Sequence, residues 1–207
     1  HSGDRHETLR ETVRWSYDLL ASPEATMFKR LSVFSGGFDL AAAAAICSDD
    51  GGVQSAHVPE LVMALLDKSM LASDEIDGRQ RFRMLETLRD FASGELEADE
   101  GIASIASRHA AYYCELAQNE NHRFFGPAEP DVWRTLDVEW SNFRKALDTF
   151  EGLDDLDSGA ELVVSLVWFA AMSMRFELFG WAEELLATEG IENHDRYTDL
   201  CGAAAVG

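Results

Sequence analysis

Six histidines, three cysteines and one run of alternating arginines are the residues of this 207-residue chain whose types lend themselves to chemistry. His1, His6, His57, His109, His122 and His194 are scattered, without the spacing that a metal ion demands of its ligands. His1 and His6 lie at a terminus and read as solvated. Arg108-His109 falls in a helical stretch with no partner nucleophile in view, so a structural role outweighs a catalytic one. Cys47, Cys114 and Cys201 are far apart and outside any CxxC, which fits a reducing compartment better than a disulfide framework. "LDDLD" at 153–157 offers carboxylates but lacks the ligand order of an EF-hand, and reads as a solvated loop. GxxxxGK[ST], GxGxxG after a strand, GxSxG and HExxH do not occur. The chain therefore has no phosphate-cradling loop, nucleophile elbow or zinc helix of its own.

One stretch remains, "RFRMLETLRDFA" at 81–92. It begins with arginine alternating with apolar residues, as in a strand. It ends with Leu85, Leu88, Phe91 and Ala92 spaced as on one face of a helix. Just before it, Asp77-Gly78 sits between two short extended runs, the signature of a type I′ hairpin. Counting outward from that turn pairs Asp74 with Arg81, Ser73 with Phe82 and Leu71 with Met84. Arg79, Arg81 and Arg83 then share one face, and Phe82 and Met84 the other. The arginine face has two readings: a solvated surface with cross-strand pairs such as Asp74–Arg81, or a contact with a neighbouring domain.

The elements that hold this corner are helical. A first helix carries Leu9, Val13, Ser16 and Leu20 on one side. A second follows Ser22, the expected N-cap, with Pro23 and Glu24 in its first turn and Met27, Phe28, Leu31 and Phe34 inward. Gly36-Gly37 is read as its end. Asp39 caps an alanine-rich helix that runs to about Cys47, and "VPELVMALLDKS" forms another with Leu61, Val62, Leu65 and Leu66 inward. Beyond about residue 102 everything reads helical. Ile102, Ile105, Ala106, Ala110, Tyr113 and Leu116 mark one helix, and Val132, Leu136, Phe143 and Leu147 a single long one. Two more meet near Arg175–Gly180, and a last one begins near Tyr197. The fold class expected is mainly α: a winged-helix domain with one β-hairpin over 1–98, then TPR-like α-helical repeats over 99–207.

The net charge is −21, unevenly spread: residues 1–98 hold 10 basic and 17 acidic residues, and residues 99–207 hold 7 and 21. Such a field opposes non-specific attraction to phosphate backbones and anionic lipid. The presumed reading helix offers one lysine, Lys68 at its end, against Glu60 and Asp67, so no direct nucleic-acid partner is expected. The longest apolar stretch, around Leu162–Met174, is broken by Ser165 and Ser173 and reads as too short to span a bilayer, so no membrane partner is expected either. The chain begins at His1 and reads as a piece of a longer protein.

"RHETLRETVRWSYDLL", "MFKRLSVFSGGFDLAAAAAIC", "LLDKSML" and "RFRMLETLRDFA" together resemble the segment after the nucleotide-binding module of bacterial STAND-type signal-transduction ATPases. These are the large LuxR-like and SARP-like transcriptional regulators and the adenylate cyclases with a similar ATPase. "RHAAYYCELA" and "EWSNFRKALD" resemble the start of their helical-repeat region. The resemblance covers nearly the whole chain. It implies a cytoplasmic protein in which an upstream nucleotide-binding module in cis holds ATP or ADP, this piece holds no cofactor, and the repeats take a protein or small-molecule effector. In the related NB-ARC proteins a Met-His-Asp motif at the winged helix reaches the bound ADP. The matching positions here are Met84, Leu85 and Glu86. Leu85 departs from the pattern and has no hydrogen-bond donor, which leaves the corner as a hinge near the nucleotide.

The expected function is a non-catalytic relay between that module and the repeats, with Arg79, Arg81 and Arg83 as an interdomain contact. The alternatives are a DNA-binding winged-helix transcription factor and a hydrolase with dispersed catalytic residues. The chain alone is expected neither to hydrolyse ATP nor to bind it tightly, for want of a phosphate loop; calorimetric titration returning micromolar or better affinity would contradict this.

Overall fold

The computed structural model describes residues 2–49, 52–98 and 102–205, with side chains described for 10–49, 52–97 and 103–205. The expectations placed on the side chains of His1, His6, Leu9 and Ile102 lie outside those residues. The chain forms two compact units, His1–His109 and Ala110–Gly207.

The first unit contains α1 (Ser2–Asp18), α2 (Ser22–Leu31), α3 (Leu40–Cys47), a 3-10 turn at Ser55–His57, α4 (Val58–Asp67), β1 (Ala72–Ile76), β2 (Arg79–Arg83), α5 (Glu86–Ala98) and the start of α6 (Ile102–Arg123). β1 and β2 pair antiparallel in the register counted from the sequence: Ser73 opposite Phe82 and Asp74 opposite Arg81, while Leu71 and Met84 lie beyond the ladder. Asp77 and Gly78 have φ of 51° and 75°, the doubly positive backbone of a type I′ turn. A third strand is reduced to one residue. Phe38 bridges Phe82 antiparallel, each N–H donating to the other's carbonyl at 2.9 Å. The order helix, bridge, helix, helix, strand, wing, strand is that of a winged helix.

Local chemistry sets the boundaries. α2 starts one residue earlier than an N-cap at Ser22 would require. Ala21 is the N-cap, and its own N–H donates to the Glu24 carboxylate at 2.8 Å, the half of a capping box that needs no N-cap side chain. α2 ends at Leu31, and Gly36-Gly37 instead turns the chain toward Phe38. Gly36 takes φ 109°, and a Cβ on Gly37 would stand 3.0 Å from the Phe82 carbonyl oxygen. Asp39 caps α3 as expected, accepting from Ala42 N–H at 2.8 Å. Met27, Phe28, Leu31, Phe34, Phe38, Ile46, Val62, Leu65 and Phe82 are buried together. Leu85 is not on the buried face of α5; it is 49% exposed, because the helix begins only at Glu86 and Met84 has already filled the inward position.

The second unit holds the rest of α6, then α7 (Glu129–Val138), α8 (Trp140–Gly152), α9 (Leu156–Ser173), α10 (Glu177–Leu186), a 3-10 turn at Ile191–Asn193 and α11 (Tyr197–Ala204). The single helix expected over 131–150 is two. Glu139 interrupts it, with its buried carboxylate accepting from the Asn142 side-chain amide at 2.7 Å, and Val132 and Leu136 on one side and Phe143 and Leu147 on the other are all buried. Met174, at φ 56°, ends α9 in the left-handed conformation. Among the described residues one helix, α9, is long and apolar enough to cross a membrane by length and composition, contrary to the reading of that stretch as too short. In the fold it packs against α8, α10 and α11, and Leu162, Val163, Leu166 and Phe169 are buried.

Phe82 is 1% exposed and its ring lies 6.0 Å from that of Phe38. Phe82→Ala is expected to destabilise the chain by about 3–5 kcal/mol in chemical denaturation, as for other fully buried phenylalanines, whereas Leu85→Ala should change stability by less than about 1 kcal/mol.

Candidate functional site

The hairpin and the corner that follows it form the candidate surface. β2 alternates as the sequence demands: Phe82 inward, Arg79 and Arg83 exposed, Arg81 half-buried against Gly37. The cross-strand ion pair differs from the expected one. Asp74 lies opposite Arg81 but is bonded by Arg83, whose Nε donates to its carboxylate at 2.7 Å. The strand twist swings the neighbouring guanidinium diagonally onto the carboxylate, while Arg81 leans toward the protein. Both partners of the pair are about half exposed, so it is worth little to stability.

At the corner Met84 is buried, Leu85 projects outward, and Glu86 opens α5, where a carboxylate meets the positive end of the helix. The Leu85 carbonyl accepts the Arg89 N–H at 2.9 Å and so closes the first helical turn. The corner thus displays one aliphatic side chain with no donor for a phosphate.

α4 occupies the place of a reading helix. Its outward residues are Pro59, Glu60, Met63 and Asp67, none of them basic. Lys68, just past its end, is held by Glu24, whose carboxyl that contact pulls below its ordinary range.

A second cluster lies at the end of α3. Arg30 donates to the Cys47 carbonyl at 2.7 Å and to the Asp49 carboxylate, and Arg108 donates to the Ala45 carbonyl at 2.7 Å. Two guanidiniums thus satisfy the last carbonyls of the helix, where the dipole is negative. Asp49 also accepts from the Gly52 and Val53 N–H groups at 2.5 and 3.1 Å. The Arg30 contact and those two amides hold its carboxyl well below the usual carboxylate range. An open cleft here is lined by Ser48, Asp49, Gln54, Ser55 and Arg108. Burial pushes the Cys47 thiol up to about 12, which makes it unreactive.

The remaining sequence candidates are structural. His109 is buried and packs edge-on against Phe34, with centroids 5.5 Å apart. In the acidic loop Asp155 caps α9 through the Ser158 N–H at 3.1 Å, and Asp157 bonds His194 at 2.8 Å. Among the described residues no group of three or more His, Cys, Asp or Glu side chains is placed to hold a metal.

No family model matches the chain, and no solved structure does. Proteins named "Putative HTH-type transcriptional regulator" from Mycobacterium tuberculosis (strain ATCC 25618 / H37Rv) and Mycobacterium bovis (strain ATCC BAA-935 / AF2122/97) are each 34% identical to it over 187 residues, which is 88% of this chain and 20% of those proteins. An uncharacterized protein of the former organism is 36% identical over 101 residues, 48% of this chain and 26% of that protein. The chain therefore spans about a fifth of the length of the first of these relatives. Their names describe regulators, not enzymes, in agreement with a non-catalytic reading. They also overturn the expectation that no nucleic acid is involved, since helix-turn-helix regulators work on DNA. That expectation leaned on the total charge and on the acidic flanks of α4; the total is a poor guide to a local surface, since −14 of the −21 lies in residues 99–207, and the flanks of α4 do not bear on the wing.

The Asp49 contacts carry a pH signature. A carboxyl depressed in the folded state adds stability that is complete above its unfolded value, near 3.8, and is lost as pH falls through the folded value. Asp49→Asn should therefore lower the melting temperature at pH 7, and the gap to the native chain should narrow below about pH 4. A gap that stays constant with pH would assign the loss to shape and not to charge.

Proposed function

We propose that this chain is a regulatory segment of a transcriptional regulator that works on DNA, with the winged helix as the part that meets the duplex. The observation that carries the reading is the complete winged-helix order of the first unit, one-residue strand at Phe38 included, in a chain similar along 88% of its length to proteins named as helix-turn-helix regulators. Electrostatics choose the contacting element. The outward face of α4 is acidic and apolar, so base reading by that helix is disfavoured, whereas the wing presents Arg79 and Arg83 to solvent, beside the exposed Asp74, Glu75 and Asp77, of which Asp74 is taken up by Arg83. Arginines on a wing meet phosphates, which position a protein without reading sequence. The all-helical second unit, with its helices packed in succession in a TPR-like manner, is the regulatory part.

Each phosphate contact contributes about −0.9 to the slope of log affinity against log salt. The chain should therefore bind a short duplex in low salt, about 50 mM, and Arg79→Ser with Arg83→Ser should make the slope shallower by about 2 without changing the melt, because exposed pairs are worth only about 0–1 kcal/mol. Absence of any mobility shift at that salt would sink DNA contact by this chain.

One observation favours a second reading, the relay of a STAND-type ATPase: Leu85 stands half exposed at the corner, where the related motif meets nucleotide. Under it ATP or ADP belongs to another part of the longer protein, and the same double arginine variant would change nucleotide exchange there while leaving DNA affinity unaltered.

A further inference from the structure

An open cavity of about 180 Å³ lies within the second unit, among the last turn of α8, the loop after it, the first turn of α9 and the end of α10. Its floor is apolar: Phe150 and Leu185 are buried, Leu156 is half-buried, and Gly159 contributes no side chain. Its rim carries the exposed carboxylates of Glu151 and Asp154. Asp155 also lines it, but is engaged by the Ser158 N–H at the positive start of α9. No lysine or arginine is among the described residues that line the cavity, and neither Glu151 nor Asp154 has an ion-pair partner among the described residues.

Size, charge and polarity at the cavity agree on what fits. A cavity of about 150 Å³ in another protein takes up benzene, so this one has room for about six non-hydrogen atoms. α8 and α10 both reach it with their C-terminal ends, where the helix dipole is negative, and Glu151 and Asp154 add full charges. Partial burial, and then the carboxylates of Glu184 and Asp148, push the Glu151 carboxyl up, as befits a negative group among like charges with no cation to offset them. A bare metal ion finds too few oxygen ligands, since among the described residues no three ligating side chains converge. An apolar floor with a few charges at its mouth is instead the make-up of a site for a small organic ligand. We propose that this cavity binds a short alkylammonium group, its hydrocarbon chain on Phe150, Leu156 and Leu185 and its ammonium at the Glu151 and Asp154 carboxylates. The group can belong to a free aliphatic amine or to the lysine of a protein partner. The site gives a ligand class to the unit read above as regulatory, and it does not depend on DNA contact by the wing.

The test is a proton–nitrogen NMR titration of the 207-residue chain with n-pentylamine hydrochloride at about 150 mM salt, where long-range attraction to an acidic surface is screened. A ligand of this size supports a dissociation constant of about 1 mM, and the shifts should be confined to the residues around Phe150–Gly159 and Leu185–Thr188. n-Pentanol lacks the charge, methylamine hydrochloride lacks the chain, and pentanoate has the opposite charge; each should bind at least about tenfold more weakly. Glu151→Gln with Asp154→Asn should weaken pentylamine by about tenfold or more, and Glu151→Gln alone should show part of that loss. The melting temperature of the double variant should hold or rise, because asparagine accepts the left-handed backbone at position 154, with φ of 56°, and the like charges around Glu151 are relieved. Nα-acetyl-lysine N-methylamide separates the sources: affinity equal to that of pentylamine assigns the site to a partner's lysine, and weaker affinity to a free amine. No localised shift with pentylamine, equal binding of pentanol or of methylamine, or undiminished binding by the double variant would each overturn the proposal. The titration contains no DNA, so its failure leaves the wing reading standing, and failure of the wing reading leaves this site standing.

Discussion

The two-way backbone bridge between Phe38 and Phe82 is the constraint on which the first unit depends. It joins the loop after α2 to the strand after the wing, and so closes the helices and the hairpin into one core. Once Phe82 is inward, the period of two leaves no choice for its neighbours: residues 81 and 83 take the other face. The bridge also demands that Gly37 have no side chain, since the Phe82 carbonyl lies where a Cβ would be crowded. A hydrophobic anchor and a glycine thus decide where the arginines go, with Arg81 half-buried against Gly37 and Arg79 and Arg83 displayed.

The hairpin was the most legible part of the sequence. Asp77-Gly78 admits the doubly positive turn, the turn fixes the register, and the register fixes the faces; each step is local. The caps were legible in part, because Asp39 both caps and looks like a cap, whereas Ala21 is an N-cap with no side chain to signal it. Long-range features left no mark. A one-residue strand at Phe38 has no period to detect, and the diagonal choice of Arg83 by Asp74 follows from twist and not from pairing. The break at Glu139 was hidden because the apolar spacing on its two sides stays in phase with one long helix. The total acidity and the acidic flanks of α4 both argued against DNA, and neither bears on the wing, where Arg79 and Arg83 are exposed.

The second unit fastens its helices with its few cations. Arg144 on α8 holds Glu177 on α10, which also accepts from the Trp140 indole N–H, and the Arg144 contact keeps that carboxyl below its usual range. Arg175 lies 4.7 Å over the Trp140 ring and bonds Asp137 on α7. Arg196 takes both oxygens of Glu161 in a forked pair that ties the start of α11 to α9. Each of these arginines joins segments distant in sequence, so the cations serve as fasteners between helices. The wing arginines do not: Arg83 reaches only across its own hairpin. The first unit is fastened in the same way, with Arg30 and Arg108 on the end of α3, Lys68 on Glu24 of α2, and Arg14 of α1 on Glu95 of α5. Exposure, and not an allocation between the units, sets the wing apart: Arg79 and Arg83 are displayed to solvent, on a strand whose place is already set by Phe82.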